Sequence, residues 1–158
     1  MGVCHLATKI RPEVRPFQIE DVSRLVNRDD PNQSCDITIQ HANAGPAFTA
    51  WVRDRPVGCA GVVLAWPGVG AAWMSVSDDI AEHGLWLTRL TRAFLRDIIR
   101  VHRLHRLEAV ALDESVRNQQ WLRVLGFAPE GGIAHAYLPD KRAVQRFELV
   151  EGMDTWPM

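Results

Sequence analysis

The stretch Ala71-Ala72-Trp73-Met74-Ser75-Val76-Ser77-Asp78-Asp79-Ile80-Ala81-Glu82-His83-Gly84-Leu85-Trp86-Leu87 changes its hydrophobic period halfway. Ala71 to Val76 suits a strand. From Leu87 the apolar residues Leu90, Phe94, Ile98 and Val101 recur every three or four positions, which predicts one buried stripe on a helix running to about Arg103. A strand that hands over to a long helix must be followed by a crossover, so the next strand should lie parallel to the first.

Working outward, Ala47 to Val52 reads as a strand, Asp54-Arg55-Pro56 as a turn, and Val57 to Ala65 as an apolar return strand. Trp66-Pro67-Gly68-Val69-Gly70 is a second turn, so the three strands through Val76 form an antiparallel meander. Downstream, His105 to Leu112 is a buried strand and Val116 to Leu125 an amphipathic helix stopped by Gly126. Two further strands, near Ile133 to Leu138 and Val144 to Val150, are joined by the Pro139-Asp140 turn. At the other end, Pro12 and Pro16 confine any strand over Arg11 to Phe17 to a sheet edge. Ile19, Val22, Leu25 and Val26 keep helical spacing, with Glu20 and Asp21 where the dipole favours acids. A polar loop from Asn27 to Ser34 follows, then a short helix over residues 35 to 43.

This order gives an α/β (α+β) fold: one domain over 1–150, a mixed, mostly antiparallel sheet of six to seven strands, and helices on both faces. Residues 151–158 read as a loose tail. The bulk numbers agree with a globular chain: 158 residues, 47% apolar, 23% charged. A net charge of −1 supplies no field that draws nucleic acid or a membrane. Of the 18 basic residues only Lys9 and Lys141 are lysines; the rest are arginines, suited to planar contacts with carboxylate or phosphate. Cys4, Cys35 and Cys59 are too few and too scattered for a disulfide framework or a zinc site, and Cys59 sits in an apolar run as a small core residue. The start has neither a signal-peptide core nor, with Leu6 in place of Ser or Thr, a myristoylation signal. The expectation is a cytoplasmic protein.

The element order, with one local motif, resembles a known family. Trp121-Leu122-Arg123-Val124-Leu125-Gly126-Phe127 is similar to the Tyr-x-x-Leu-Gly-Phe signature of GNAT N-acetyltransferases. Arg15-Pro16 with Asp21, and Arg55-Pro56-Val57-Gly58, resemble the family's opening strand and helix and the start of its meander. Ala72 to Ile80, His83, Phe94-Leu95-Arg96 and Asn118 to Leu122 resemble, more narrowly, small GNAT-like proteins of short-tailed bacteriophages, some described as internal virion proteins. The resemblance implies acyl transfer from acetyl-CoA or another acyl-CoA to a small amine or a protein amine. The phage likeness implies an alternative: a catalytically silent scaffold that binds a host or virion protein, in the host cytoplasm or the virion.

Family members hold the cofactor's diphosphate on an Arg/Gln-x-x-Gly-x-Gly/Ala loop, whose glycines let backbone N–H groups approach. Here the matching stretch is Ala81 to Trp86, and only Gly84 agrees. Ala81 lacks a phosphate-reaching side chain, and Trp86 brings bulk where the family has almost none. Glu82 adds repulsion on the order of 1 kcal/mol or more to a phosphate about 4–6 Å away, which a protonated His83 offsets in part. The resemblance then implies cofactor contacts from Met74, Val76, His83, Gly84, Leu85 and Ser115, with Ser115 equally readable as a helix cap. The family's proton-donating Tyr is Leu122 here, which cannot donate. Asp78 and Asp79 are candidates for a general base and equally for caps, and Tyr137, the only Tyr, lies in another element.

Arg89, Arg92, Arg96, Arg100 and Arg103 step along the long helix opposite its apolar stripe, with Arg106 nearby. Arg89, Arg92 and Arg96 are candidates for a partner-binding surface, and the same spacing describes a solvated face paired to acids such as Asp97. No aromatic residues interleave them as a base-stacking surface needs. His102 and His105 lack an evident third ligand, so no metal is expected.

Overall fold

Our computed structural model describes residues 13–25 and 35–155, with the side chains of residues 35, 36, 78, 79 and 81 left aside. The expectations on Cys4, on the start of the chain and on the loop from Asn27 to Ser34 lie outside the described residues. Strand β1 (Glu13–Pro16) leads into α1 (Ile19–Arg24), then α2 (Cys35–Asn43) and the meander β2 (Ala47–Val52), β3 (Arg55–Trp66) and β4 (Val69–Val76). A 3₁₀ segment over Asp78–His83 runs straight into α3 (Gly84–His102), followed by β5 (Arg106–Leu112), α4 (Val116–Leu125), β6 (Ala128–Ala134) and β7 (Val144–Val150).

Among the described residues the strands form one seven-stranded sheet in the order β1-β2-β3-β4-β5-β7-β6. Its neighbours are antiparallel except β4 and β5, which are parallel as the crossover through α3 requires. β1 is an edge strand, as Pro16 demands. One face is covered by α3 and α4: Leu95, Ile98, Ile99, Leu122 and Leu125 pack with Val62, Leu107, Ala109, Phe147 and Leu149 in the main core. The other face carries α1 and α2, where Thr49, fully buried, donates to the Asp21 carboxylate at 2.6 Å and lies 3.5 Å from the Cys59 sulfur. Burial there pushes the Cys59 thiol up to about 11, so this cysteine is an inert core residue.

Four expectations need correction. The first hairpin turns at Arg53-Asp54, both in left-handed backbone at φ 50° and 57°, and Arg55-Pro56 already belongs to β3. The stripe on α3 is buried at Leu87, Leu95, Ile98 and Ile99, whereas Val101 is 67% exposed because it lies off the face shared by Leu95, Ile98, Ile99 and the half-buried His102. The sixth strand is Ala128–Ala134 rather than Ile133 to Leu138, since a register irregularity between Pro129 and Ile133 lets the strand absorb its proline and glycines. Arg106 leaves the arginine row of α3 altogether: it sits on β5 and contacts Glu108, Glu130 and Glu148, at 2.9, 2.8 and 2.5 Å.

Candidate active site: a gap in the centre of the sheet

The parallel ladder pairs Val69 with Arg106, Gly70 with Leu107 and Ala71 with Glu108, and there it ends. β4 continues to Val76 and β5 to Leu112, so the two strands part and leave a cleft of roughly 1850 Å³. Side chains alternate across a strand, and the cleft is therefore lined on both faces of the sheet. Met74 and Val76 join the apolar cluster of Val57, Ile80 and Leu87 beneath α3. Trp73 points the other way, toward α2, with its ring 5.9 Å from that of His41 and 6.5 Å from that of Phe17.

The amino end of α3 opens onto this cleft. His83 is its N-cap and makes no side-chain cap bond, Leu85 is 81% exposed, and a Cβ added at Gly84 would meet nothing within 4 Å. The first-turn N–H groups of a helix lack α-helical partners; here the 3₁₀ segment Asp78–His83 leads directly into that turn, with open space beside the Gly84 Cα. Trp86 is half-buried and packs against the cluster of Ala50, Val52 and Val57 while also lining the cleft.

Of the residues singled out from sequence, Met74, Val76, His83, Gly84, Leu85 and Tyr137 line this one cleft. Ser115 caps α4 by position without a side-chain cap bond and lies outside the lining. Asp78 and Asp79 fall in the 3₁₀ segment, and their side chains are outside the described residues. Leu122 is buried in the core at the wall of the cleft, and its hydrocarbon side chain has no proton to supply. Arg89 and Arg96 are exposed on α3, but the Arg92 guanidinium donates to the Val124 carbonyl near the end of α4. No group of three or more potential metal ligands occurs among the described residues, and none of their helices is long and apolar enough to cross a membrane.

Two lining residues escape a reading of the sequence. His41 projects from α2, and burial holds its imidazole below the ordinary histidine pKa. Arg117 stands exposed in the first turn of α4. Neither carries a local motif; only the return of distant elements to one gap brings them together.

Solved structures share this architecture. Ard1 from Thermoplasma volcanium superposes with a TM-score of 0.73 at 12% identity, covering 89% of this chain and 97% of that one. An acetyltransferase from Bacillus subtilis in complex with CoA gives 0.69 at 18% identity, over 90% and 99%. A GNAT-family acetyltransferase from Bacillus anthracis gives 0.67 at 14%, over 89% and 97%. No family model matches the chain, and no curated protein matches it by sequence. The superposition along nearly the full length of these structures gives this chain a GNAT-like fold.

Proposed function

We propose that this chain binds an acyl-CoA in the gap between β4 and β5 and passes its acyl group to an amine. The observation that carries the reading is the three-pair ladder, which opens a cleft through the sheet beside the amino end of α3. Met74 and Val76 offer an apolar wall to the acyl-bearing arm, and the open space beside Gly84 leaves room for a phosphate at the start of α3. When bound, an acyl-CoA supplies the activated acyl group. His41, neutral at physiological pH because burial disfavours its cation, takes the proton from an amine approaching on the α2 side. Tyr137, 54% exposed in the loop before β7, is the phenol that faces the cleft in place of the acid lost at Leu122.

A second reading is favoured by the burial of Leu122 and by the acidic, exposed Glu82 next to the phosphate position. In it the scaffold is catalytically silent and serves a phage as a module that binds a host or virion protein. Thermal unfolding with acetyl-CoA separates the two. A ligand at about 100 Kd adds about 2.7 kcal/mol and raises Tm; an unchanged Tm at millimolar acetyl-CoA rejects the first reading and leaves the second.

A further inference from the structure

The 81–86 segment has no basic side chain except His83, so any phosphate bound there needs its charge neutralised from elsewhere. Helices α3 and α4 show where that charge stands. The Trp121 indole N–H donates to the Thr88 hydroxyl at 3.0 Å, and Arg92 reaches the Val124 carbonyl. Both contacts advance in the same sense along the two helices, which therefore lie side by side and point the same way. One turn back from Thr88 is Gly84, whose carbonyl accepts the Thr88 hydroxyl at 2.8 Å. One turn back from Trp121 is Arg117, because residues four apart share a helix face.

Arg117 thus stands beside the first turn of α3 and lines the same cleft as His83, Gly84 and Leu85. The other arginine in the lining, Arg146, pairs with Glu130 at 3.5 Å. Among the described residues Arg117 has no carboxylate partner, and its exposed guanidinium is available for a bidentate phosphate contact. Resting on the acyl-CoA reading, we infer that Arg117 is the principal phosphate-binding cation of this cleft, supplying from α4 the contact that Ala81 cannot make from the loop.

Calorimetric titration of wild type, Arg117→Ala and Arg117→Lys with CoA, dephospho-CoA and pantetheine tests this. Loss of a charge-assisted bond weakens CoA binding on the order of tenfold to a hundredfold in Arg117→Ala, with partial recovery in Arg117→Lys. Pantetheine, which carries no phosphate diester or monoester of the nucleotide, binds wild type and variant equally. If dephospho-CoA shows the same loss as CoA, the contact is to the diphosphate; if it shows none, the contact is to the 3′-phosphate. CoA binding that is unchanged in Arg117→Ala overturns the assignment alone, as does an equal loss for pantetheine. Wild type that binds no CoA overturns both the assignment and the acyl-CoA reading. Unfolding curves of the variants verify that each is folded.

Discussion

Trp121 and Thr88 tie the two helices of the cleft together: the indole N–H of one donates to the hydroxyl of the other at 3.0 Å, and that hydroxyl donates onward to the Gly84 carbonyl. The bond sets the spacing of α3 and α4 at the level of the site. Trp121→Phe keeps an aromatic ring but removes the donor, and should cost about 1–2 kcal/mol in urea unfolding. A double-mutant cycle with Thr88→Val should return a coupling of about 0.5–1 kcal/mol; a coupling of zero means that the helices are held by packing alone.

The cofactor segment makes a paired prediction. Gly84→Val puts a side chain into open space at the helix start, so it should leave stability within about 0.5 kcal/mol while weakening CoA binding. Trp86→Gly should do the reverse: part of an apolar cluster is lost, costing about 3 kcal/mol, while the approach to the helix amides widens and CoA binds more tightly. Binding unchanged in both variants would remove any steric role of this segment.

His41 gives the fold a pH dependence. Its folded pKa lies below that of the unfolded chain, because burial penalises the cation. The unfolded state then binds more protons, so stability is complete above the ordinary histidine range and falls as pH drops through that range toward the lowered folded value. Between about pH 7.5 and pH 5.5, Tm of wild type should fall more steeply than that of His41→Gln. Parallel curves would show that His41 contributes nothing to the slope.

Arg106 holds three carboxylates, Glu108 on its own strand, Glu148 on β7 and Glu130 on β6, and these partners hold its own pKa above the ordinary value. Arg106→Met leaves the acids facing one another. The cost should fall near 2 kcal/mol, between that of an exposed pair and that of a fully buried one. Added salt should restore part of it; a loss insensitive to salt would mean that packing rather than charge was removed.

Gly126 ends α4 in left-handed backbone at φ 106°, and an added Cβ would lie 3.2 Å from Thr155, whose hydroxyl donates to the Gly126 carbonyl at 2.7 Å. Gly126→Ala combines backbone strain with a close contact and should cost about 1–2 kcal/mol in denaturant unfolding. No measurable loss would show that the segment around Thr155 yields.

What could be read in advance follows the range of the interactions. The boundaries of α4 were legible because Leu122, Leu125 and Gly126 act within one helix, and the crossover because the period changes visibly between Val76 and Leu87. The Arg53-Asp54 turn was not, since neither residue announces positive φ as glycine does. β6 was displaced in the reading because Pro129, Gly131 and Gly132 look like a break, whereas the register shift accommodates them. That Met74, Val76, His83, Gly84 and Leu85 share one cleft was legible because they follow one another along the chain. His41 and Arg117 were missed because their place in the cleft depends on how α2 and α4 pack, which no local pattern encodes.

The early end of the β4–β5 ladder also changes what kind of strand β4 is. It sits mid-sheet, yet beyond Ala71 its backbone pairs with β3 alone among the described residues. Every second peptide group from Ala72 to Met74 turns toward the gap, so hydrogen–deuterium exchange should alternate along this part of the strand, slow on one side and fast on the other. The molecule keeps an interrupted ladder at its own centre, recessed between helices where the flat strand of a stray neighbour cannot dock.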